Sequence, residues 1–376
     1  MEKIFALLIR CIASVFKITG AVNYAYYSAS ALAKAQAKLI AAFQASELRY
    51  TDPAVYRLFL EQSPIMFPDY NQLRVREDRT VEAYYRQRTS RSLGTGRSHG
   101  HTGATGVSGV LTPAWTTYND TFAISLKQAD NNVYAWEEMF QNELENIFKN
   151  FIEGHETNAT TYLMTNRSHV NAASFGAASD LGAFNSSSYV FEIPTTSYWG
   201  MTNFNTLFGQ AIQTAMQINK YNNYTIVCDS TAYAKMQYMS AQGKDNGNNL
   251  SFQFNGYTYI HARKLAALAQ GLGYTEGFAF AIPDGTIGCL PWIPKQNREG
   301  RDTKLQNYAT MLNPFDNQLY AMHDYPVRAD GTSTGGYTQD EVEQYEGSID
   351  LAFAYAPLSN VGETPIMAFA ISGSIT

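Results

Sequence analysis

Between Asp130 and Ser168 apolar residues recur at helical spacing. Val133, Trp136, Phe140, Leu144, Ile147, Phe151, Tyr162 and Leu163 share one face, and Phe148 and Ile152 widen the stripe. Asp130 and Asn131 offer oxygens to the free amides at the start, and Glu137, Glu138, Glu143 and Glu145 weight the first half with the charge a helix N-terminus favours. Unbroken to Met164, this pattern predicts a helix of about 30 residues, roughly 45 to 50 Å long and well beyond the usual length. Gly154 is the point at which it could bend. By itself such a helix suits the core of an ordinary α+β domain, and its apolar face requires a partner surface.

Around it the periodicity changes repeatedly. Residues 1–50 read as helix, first with Ile4, Leu8, Cys11 and Phe16 on one side, then as an Ala-rich run from Ala29 to Glu47 carrying Leu32, Leu39 and Phe43. Such stripes pack on the parent protein or, alternatively, lie on a membrane surface. Pro53, Pro64 and Pro68 interrupt regular structure from Tyr50 to Tyr70 and predict an extended arm. Phe122, Ile124 and Leu126 alternate as in a half-buried strand leading into the long helix. Residues 171–200 are rich in Ala, Ser, Gly and Asn and read as a linker. Beyond it come a helix from Phe204 to Asn219, a strand from Tyr224 to Cys228 and a helix from Ser230 to Gln242. A hairpin follows in Phe252 to Ile260 with Asn255-Gly256 at its turn, then Phe278 to Ile282, the turn Pro283-Asp284-Gly285, and Ile287 to Trp292. From Asp302 the chain is expected to return to the first region, with strands at Ile349 to Tyr355 and Ile366 to Ile371 and a surface loop at Gly331 to Gly336. Helix and strand alternate without βαβ regularity, so the fold class is α+β.

One stretch carries a distinctive charge. Arg74-Val75-Arg76 and Thr80 to Arg86 read as a strand, and beyond Arg91 the chain becomes rich in Gly and Ser, which together predict a long projecting β-hairpin from Leu73 to Gly109. Seven arginines (Arg74, Arg76, Arg79, Arg86, Arg88, Arg91, Arg97) stand there against Glu77, Asp78 and Glu82, a local excess of four in an acidic chain. Arginine without lysine favours fixed, bidentate partners. Three readings remain open: a protein partner with an acidic face, a nucleic-acid contact, and a solvated loop. An acidic face exists in the same chain, where Asp316, Asp324, Asp330, Asp340, Glu341, Glu343 and Glu346 outnumber Lys304 and Arg328. These segments could meet between subunits.

Composition narrows the class. Charged residues make up 16% and aromatics 14%, so something other than charge covers much of the surface, as in proteins that associate with themselves. A secreted binding protein rich in Asn and Tyr would share the profile. A net charge of −6 argues against coating nucleic acid with a basic face. Cys11, Cys228 and Cys289 form neither a disulfide framework nor a zinc motif, which suits folding in a reducing cytoplasm. Lys3 followed by Ile4 to Ile9 imitates a signal peptide until Arg10 and Lys17 intervene, and no apolar run is long enough to span a membrane. His99 and His101 lack the rigid surroundings a metal site needs, and the glycines near them lack the strand and lysine of a phosphate loop. Cys228, His155 beside Glu156, and Asp284 each have a structural explanation, so neither catalytic residues nor cofactors are expected.

The order of elements, from apolar arm through arginine hairpin, strand, long helix, linker and α+β region to returning strands, resembles the HK97-like major capsid proteins of tailed double-stranded DNA bacteriophages. Two patterns carry the likeness. One is Tyr224-Thr-Ile-Val-Cys-Asp229 with the Tyr233 to Met239 helix and Phe252-Gln-Phe-Asn-Gly256. The other is Phe278-Ala-Phe-Ala-Ile282 with Pro283-Asp-Gly-Thr-Ile-Gly288 and Trp292. The resemblance implies an N-terminal arm over residues 1–72, an extended β-hairpin loop over 73–110, and a peripheral domain over 111–175 with its spine helix at 131–166. It further implies an axial domain over 195–300, a return to the peripheral domain over 301–357 and a closing axial strand in 358–376. It implies hexamers and pentamers of this chain enclosing double-stranded DNA in a virion assembled in the host cytoplasm, with separate scaffolding, portal and decoration proteins and no membrane. No lysine lies between Lys38 and Lys127, so the loop-lysine crosslink of some relatives is ruled out. An encapsulin-type compartment is the alternative within the same fold.

Overall fold

The computed structural model describes residues 29–67, 69–77, 79, 82–86, 95–96, 106, 108–125, 136–171, 182–194, 205–241, 251–254, 257–300, 307–328, 341–357 and 363–372. Helix α1 (Ala29–Gln44) follows the Ala-rich run and buries Ala35 and Leu39. The segment expected as an extended arm is instead helix α2 (Ala54–Met66), with Pro53 at its N-cap and Pro64 in its final turn. A proline just before a helix removes an amide that would be orphaned anyway. Pro64 does cost one bond of the ladder, but burial of Val55, Tyr56, Leu58 and Phe59 outweighs it. The short α3 (Tyr70–Leu73) leads into a turn at Arg74 and Val75, where the sequence suggested a strand.

Strand β1 (Ala83–Arg86) pairs antiparallel with β2 (Ser108–Leu111), and the two form a sheet of their own. Strand β3 (Thr116–Ser125) precedes the long helix α4 (Trp136–Thr165), which is helical throughout its 30 residues, Gly154 included. Asp130 and Asn131, expected at its start, lie outside the described residues.

Strands β4 (Ala183–Asn185) and β5 (Val190–Pro194) correct the linker expected at 171–200. Its small residues concealed the apolar Val190, Phe191 and Ile193, all buried. The chain continues through α5 (Asn205–Ile218), β6 (Tyr224–Cys228), α6 (Ser230–Ala241), β7 (Ser251–Phe254), β8 (Tyr257–His261) and α7 (Leu265–Gly271). Then come β9 (Phe278–Pro283), β10 (Ile287–Trp292), α8 (Lys295–Glu299), β11 (Asn307–Asn313), β12 (Gln318–Arg328), β13 (Glu341–Tyr355) and β14 (Met367–Ser372).

Two large sheets result. A seven-stranded one has the order β4-β5-β14-β9-β6-β8-β7, with β14 parallel to β5, β6 parallel to β8, and β9 antiparallel to both its neighbours. Its central strand is buried on both faces. Ala279 and Ala281 pack with Ile212, Met216 and Met236 of α5 and α6, while Phe278, Phe280 and Ile282 enter the main core with Leu265 and Ala269 of α7. The second sheet joins β10, β13, β12 and β11, with β3 along β13. Although β9 and β10 flank the Asp284-Gly285 turn, they do not pair; the turn carries the chain from one sheet to the other.

Helix α4 lies across β3 and β13. Phe122 stacks on Tyr345 at 4.8 Å, Phe140 meets Tyr345 at 5.0 Å and Phe151 meets Tyr320 at 4.9 Å. Two glycines let helices approach this sheet. A Cβ at Gly347 would sit 3.3 Å from the Phe151 ring, and one at Gly288 would sit 2.9 Å from the Phe67 ring at the end of α2. The fully buried Phe148 should be among the most costly positions to truncate. Phe148→Ala is expected to lose about 3–5 kcal/mol, read as a lowered denaturation midpoint.

Candidate functional site

The candidate site is the β1–β2 hairpin and the place where it leaves the body. Its outgoing leg, of which residues 74–77 and 79 are described, runs over β10 and α8. Trp292, almost wholly buried at the end of β10, donates its indole Nε1–H to the Arg76 carbonyl at 2.9 Å. Arg298 of α8 donates to the carbonyls of Val75 at 2.5 Å and Arg76 at 2.8 Å. Lys295, one turn earlier, pairs with Glu77. The guanidiniums of Arg79 and Arg298 lie 5.2 and 5.9 Å from the Trp292 ring, within cation–π range. Arg79 also reaches Asp350 at 3.4 Å and Thr117 at 3.3 Å, and Thr117 bonds Asp350 in turn. The returning leg is tied by packing, since Leu111 and Trp115 join a cluster formed by Phe67, Tyr70, Leu73, Leu290, Ala352 and Ala354.

Of the seven arginines, the structure therefore gives two to the hairpin's own root. Arg79 binds as described, and Arg74 donates to the Gln318 side chain at 2.9 Å while lying 5.3 Å from the Tyr70 ring. The backbone carbonyl of Arg76 receives both Trp292 and Arg298. Arg86 ends β1, opposite Ser108. Arg88, Arg91 and Arg97 lie outside the described residues, as do His99 and His101. Trp292 closes one of the sequence patterns above without any sign of its partner there, and Lys295 and Arg298 belong to none of those patterns. More than 200 positions separate them from the carbonyls and the Glu77 carboxylate they bind, and no local pattern marks such a partnership.

The acidic residues divide as well. Asp316 turns inward in the β11–β12 turn and accepts from the Tyr320 hydroxyl at 2.6 Å and the Gln318 amide at 2.9 Å. Asp324 accepts from Asn307 and Glu346 from Asn119, each at 3.1 Å. Glu341 and Glu343 open β13, in register with Arg328 and Pro326 of β12. Asp330 and Asp340 lie outside the described residues.

Elsewhere the titratable groups serve the core. His155 is buried among Tyr56, Tyr118 and Phe151, with ring centroids at 5.1, 5.3 and 5.7 Å. Burial holds its pKa down to about 3, so the imidazole stays neutral. The Glu156 carboxylate accepts the Val55 and Tyr56 amides at 3.0 Å, capping α2 from the side of α4. Burial pushes its pKa up to about 7 against the pull of those amides, and Asp316 is likewise raised to about 7 by burial. Ser230, the first residue of α6, lies 3.0 Å from His261 at the end of β8, but neighbouring Asp229 uses its carboxylate to cap α6 at the Ala232 amide, 2.7 Å away, as an ordinary helix start does. Cys228 and Cys289 are buried thiols with raised pKa values. Among the described residues no cluster of His, Cys, Asp or Glu could hold a metal ion, and no helix is long and apolar enough to cross a membrane.

No protein-family model matches the chain, and no curated protein matches it in sequence. Solved structures do align with it. One belongs to the Cyanophage Pam1 capsid asymmetric unit, with a TM-score of 0.47 and 10% identity over 81% of this chain and 87% of that one. Another is from Mycobacterium phage Adephagia, with a TM-score of 0.44 and 11% identity over 97% and 98% of the two chains. A third, from Mycobacterium phage Che8, aligns with a TM-score of 0.43 and 8% identity over 80% and 87%.

The two raised carboxyls fix the direction of a pH effect. Unfolded, Glu156 and Asp316 return to ordinary values near 4.5 and 3.8, so between there and pH 7 the folded chain holds protons that the unfolded chain releases. Stability from these groups is fullest below their ordinary values and declines as pH rises to 7. The urea midpoint is expected to fall between pH 5 and pH 8. The double variant Glu156→Gln with Asp316→Asn should lose much of that slope, and an unchanged slope would contradict the assignment.

Proposed function

We propose that this chain is a major capsid protein of a tailed double-stranded DNA bacteriophage, with the HK97-like fold, and that its work is assembly. The observation that carries this reading is the β1–β2 sheet. Among the described residues these two strands belong to no larger sheet, and such a pair is marginal in water, so beyond the packing of Leu111 at its root it gains from cover by another molecule. A charged fraction of 16% agrees, because surfaces hidden between subunits need few charges. Repeated small contacts then add through multivalency into a closed shell.

In this reading α4 is the spine helix, and the sheet of β3 and β10–β13 with α4 forms the peripheral domain. The seven-stranded sheet with α5, α6 and α7 forms the axial domain, and the hairpin is the extended loop lying on a neighbouring subunit. Hexamers and pentamers enclose double-stranded DNA without reading its sequence, in the cytoplasm of the host, with scaffolding, portal and decoration proteins as separate partners. Arg86, Arg88, Arg91 and Arg97 are the loop's candidates for contact with a neighbour's acidic residues, among them Asp324, Asp340, Glu341, Glu343 and Glu346.

Expression of the chain alone in a bacterial cytoplasm, followed by sedimentation and negative-stain electron microscopy, tests the class. Shells, tubes or capsomer rings are expected, and nuclease-protected DNA inside virions distinguishes a capsid from an enzyme-enclosing compartment. Arg86→Glu with Arg88→Glu should abolish particles while leaving the thermal unfolding of the single chain unchanged. Normal particles from that variant would refute the ionic contact.

A further inference from the structure

We infer that Trp292, with Arg298, Lys295 and Arg79 around it, is a clamp that aims the β1–β2 hairpin and thereby decides whether it reaches a neighbouring subunit. The inference rests on the assembly reading above and adds to it the residues that position the hairpin.

The contacts converge on four residues of the outgoing leg, Val75, Arg76, Glu77 and Arg79. Trp292 and Arg298 both donate to the Arg76 carbonyl, Arg298 takes the Val75 carbonyl as well, and Lys295 holds Glu77. Arg79 then closes the leg against Asp350 and Thr117, which belong to β13 and β3. Val75, Arg76, Glu77 and Arg79 are thus fastened to four separate elements of the body, α8, β10, β13 and β3. Binding carbonyls rather than side chains is significant, since a carbonyl points along the local backbone. Two donors sharing one carbonyl therefore restrict the direction of the chain and leave the sequence of the leg free. The indole ring, with two guanidiniums within cation–π range, adds a flat, buried surface beside the leg.

Leverage makes this direction matter. Arg86 stands seven residues beyond Arg79, at most about 25 Å of chain. A swing of about 10° at the root displaces it by about 4 Å, more than a hydrogen bond or ion pair tolerates. Without the clamp the hairpin keeps its own pairing and the packing of Leu111 and Trp115 on its returning leg, about which it can swing, and each contact with a neighbour must then bear the cost of ordering it.

The test separates aiming from folding and from the capsid reading. Trp292→Phe keeps a packed ring and removes the indole donor, and Arg298→Ala removes both remaining carbonyl donors. The two are combined in a background in which Cys11 is replaced by Ser, with spin labels at Val110→Cys and Leu319→Cys, both exposed positions. In the unassembled chain a single narrow distance is expected with the clamp intact, and its loss in the double variant with unchanged thermal unfolding. An unlabelled pair is compared by sedimentation, where closed shells with the clamp intact and their loss in the double variant are expected. A distance that stays narrow in the variant overturns the clamp, and broadened distances with normal shells overturn its role in assembly. Absence of shells even with the clamp intact counts against the capsid reading, while the distance measurement still judges the clamp.

Discussion

The apolar face of α4 lying across β3 and β13 is the constraint on which the other elements depend. Phe140, Leu144, Ile147, Phe148, Phe151, Ile152 and Leu163 are all buried on it, and each such side chain contributes about 1.5–3 kcal/mol through burial alone. Both partners are shaped for the contact. Aromatic rings rise from β12 and β13 at Tyr320 and Tyr345, and Gly347 leaves the gap that the Phe151 ring fills. Because the helix is a single rod of 30 residues, what docks along it is held in a common frame.

Helix α2 illustrates the consequence. It contains a proline and has no side-chain cap of its own, so local propensity argues against it. It forms because α4 supplies the missing acceptor at Glu156 and because its inner side meets β10, where the Ser63 hydroxyl accepts the Cys289 amide at 2.7 Å. The buried carboxyl is the weak point of this arrangement, since a charge there is poorly solvated and the proton is retained to about pH 7.

From that frame the hairpin inherits its direction. Strand β10 serves three purposes at once: it pairs with β13, seats α2 at Gly288, and ends in the tryptophan that grips the outgoing leg. The turn at Asp284-Gly285 links β10 directly to the central strand of the other sheet, so the seven-stranded sheet and the hairpin root are separated by one strand and one turn. The hairpin root is thus mounted on a strand that is itself paired in the second sheet and packed against α2.

The sequence by itself determined the parts whose signal is local. The period of 3.6 from Trp136 onward, the alternation at Phe122 and Ile124, the buried run of β9 and the Asn255-Gly256 hairpin were all legible, because neighbouring residues carry those patterns. The hairpin, too, could be read from Tyr84 and its surroundings before its partner strand was known. Tertiary structure alone decided the rest. It made a helix of Ala54–Met66 despite two prolines, and strands of a segment that looked like a linker. It also divided β9 and β10 between two sheets and turned Arg74, Arg79 and Asp316 inward. Apart from Asp316, whose bonds are to Gln318 and Tyr320 close by, each of these outcomes depends on a group far away along the chain: Glu156 for α2, β14 for β5, β13 for β10, Gln318 for Arg74, and Asp350 and Trp292 for Arg79. Such pairings follow from the distances the folded backbone imposes, which no window of neighbouring residues contains.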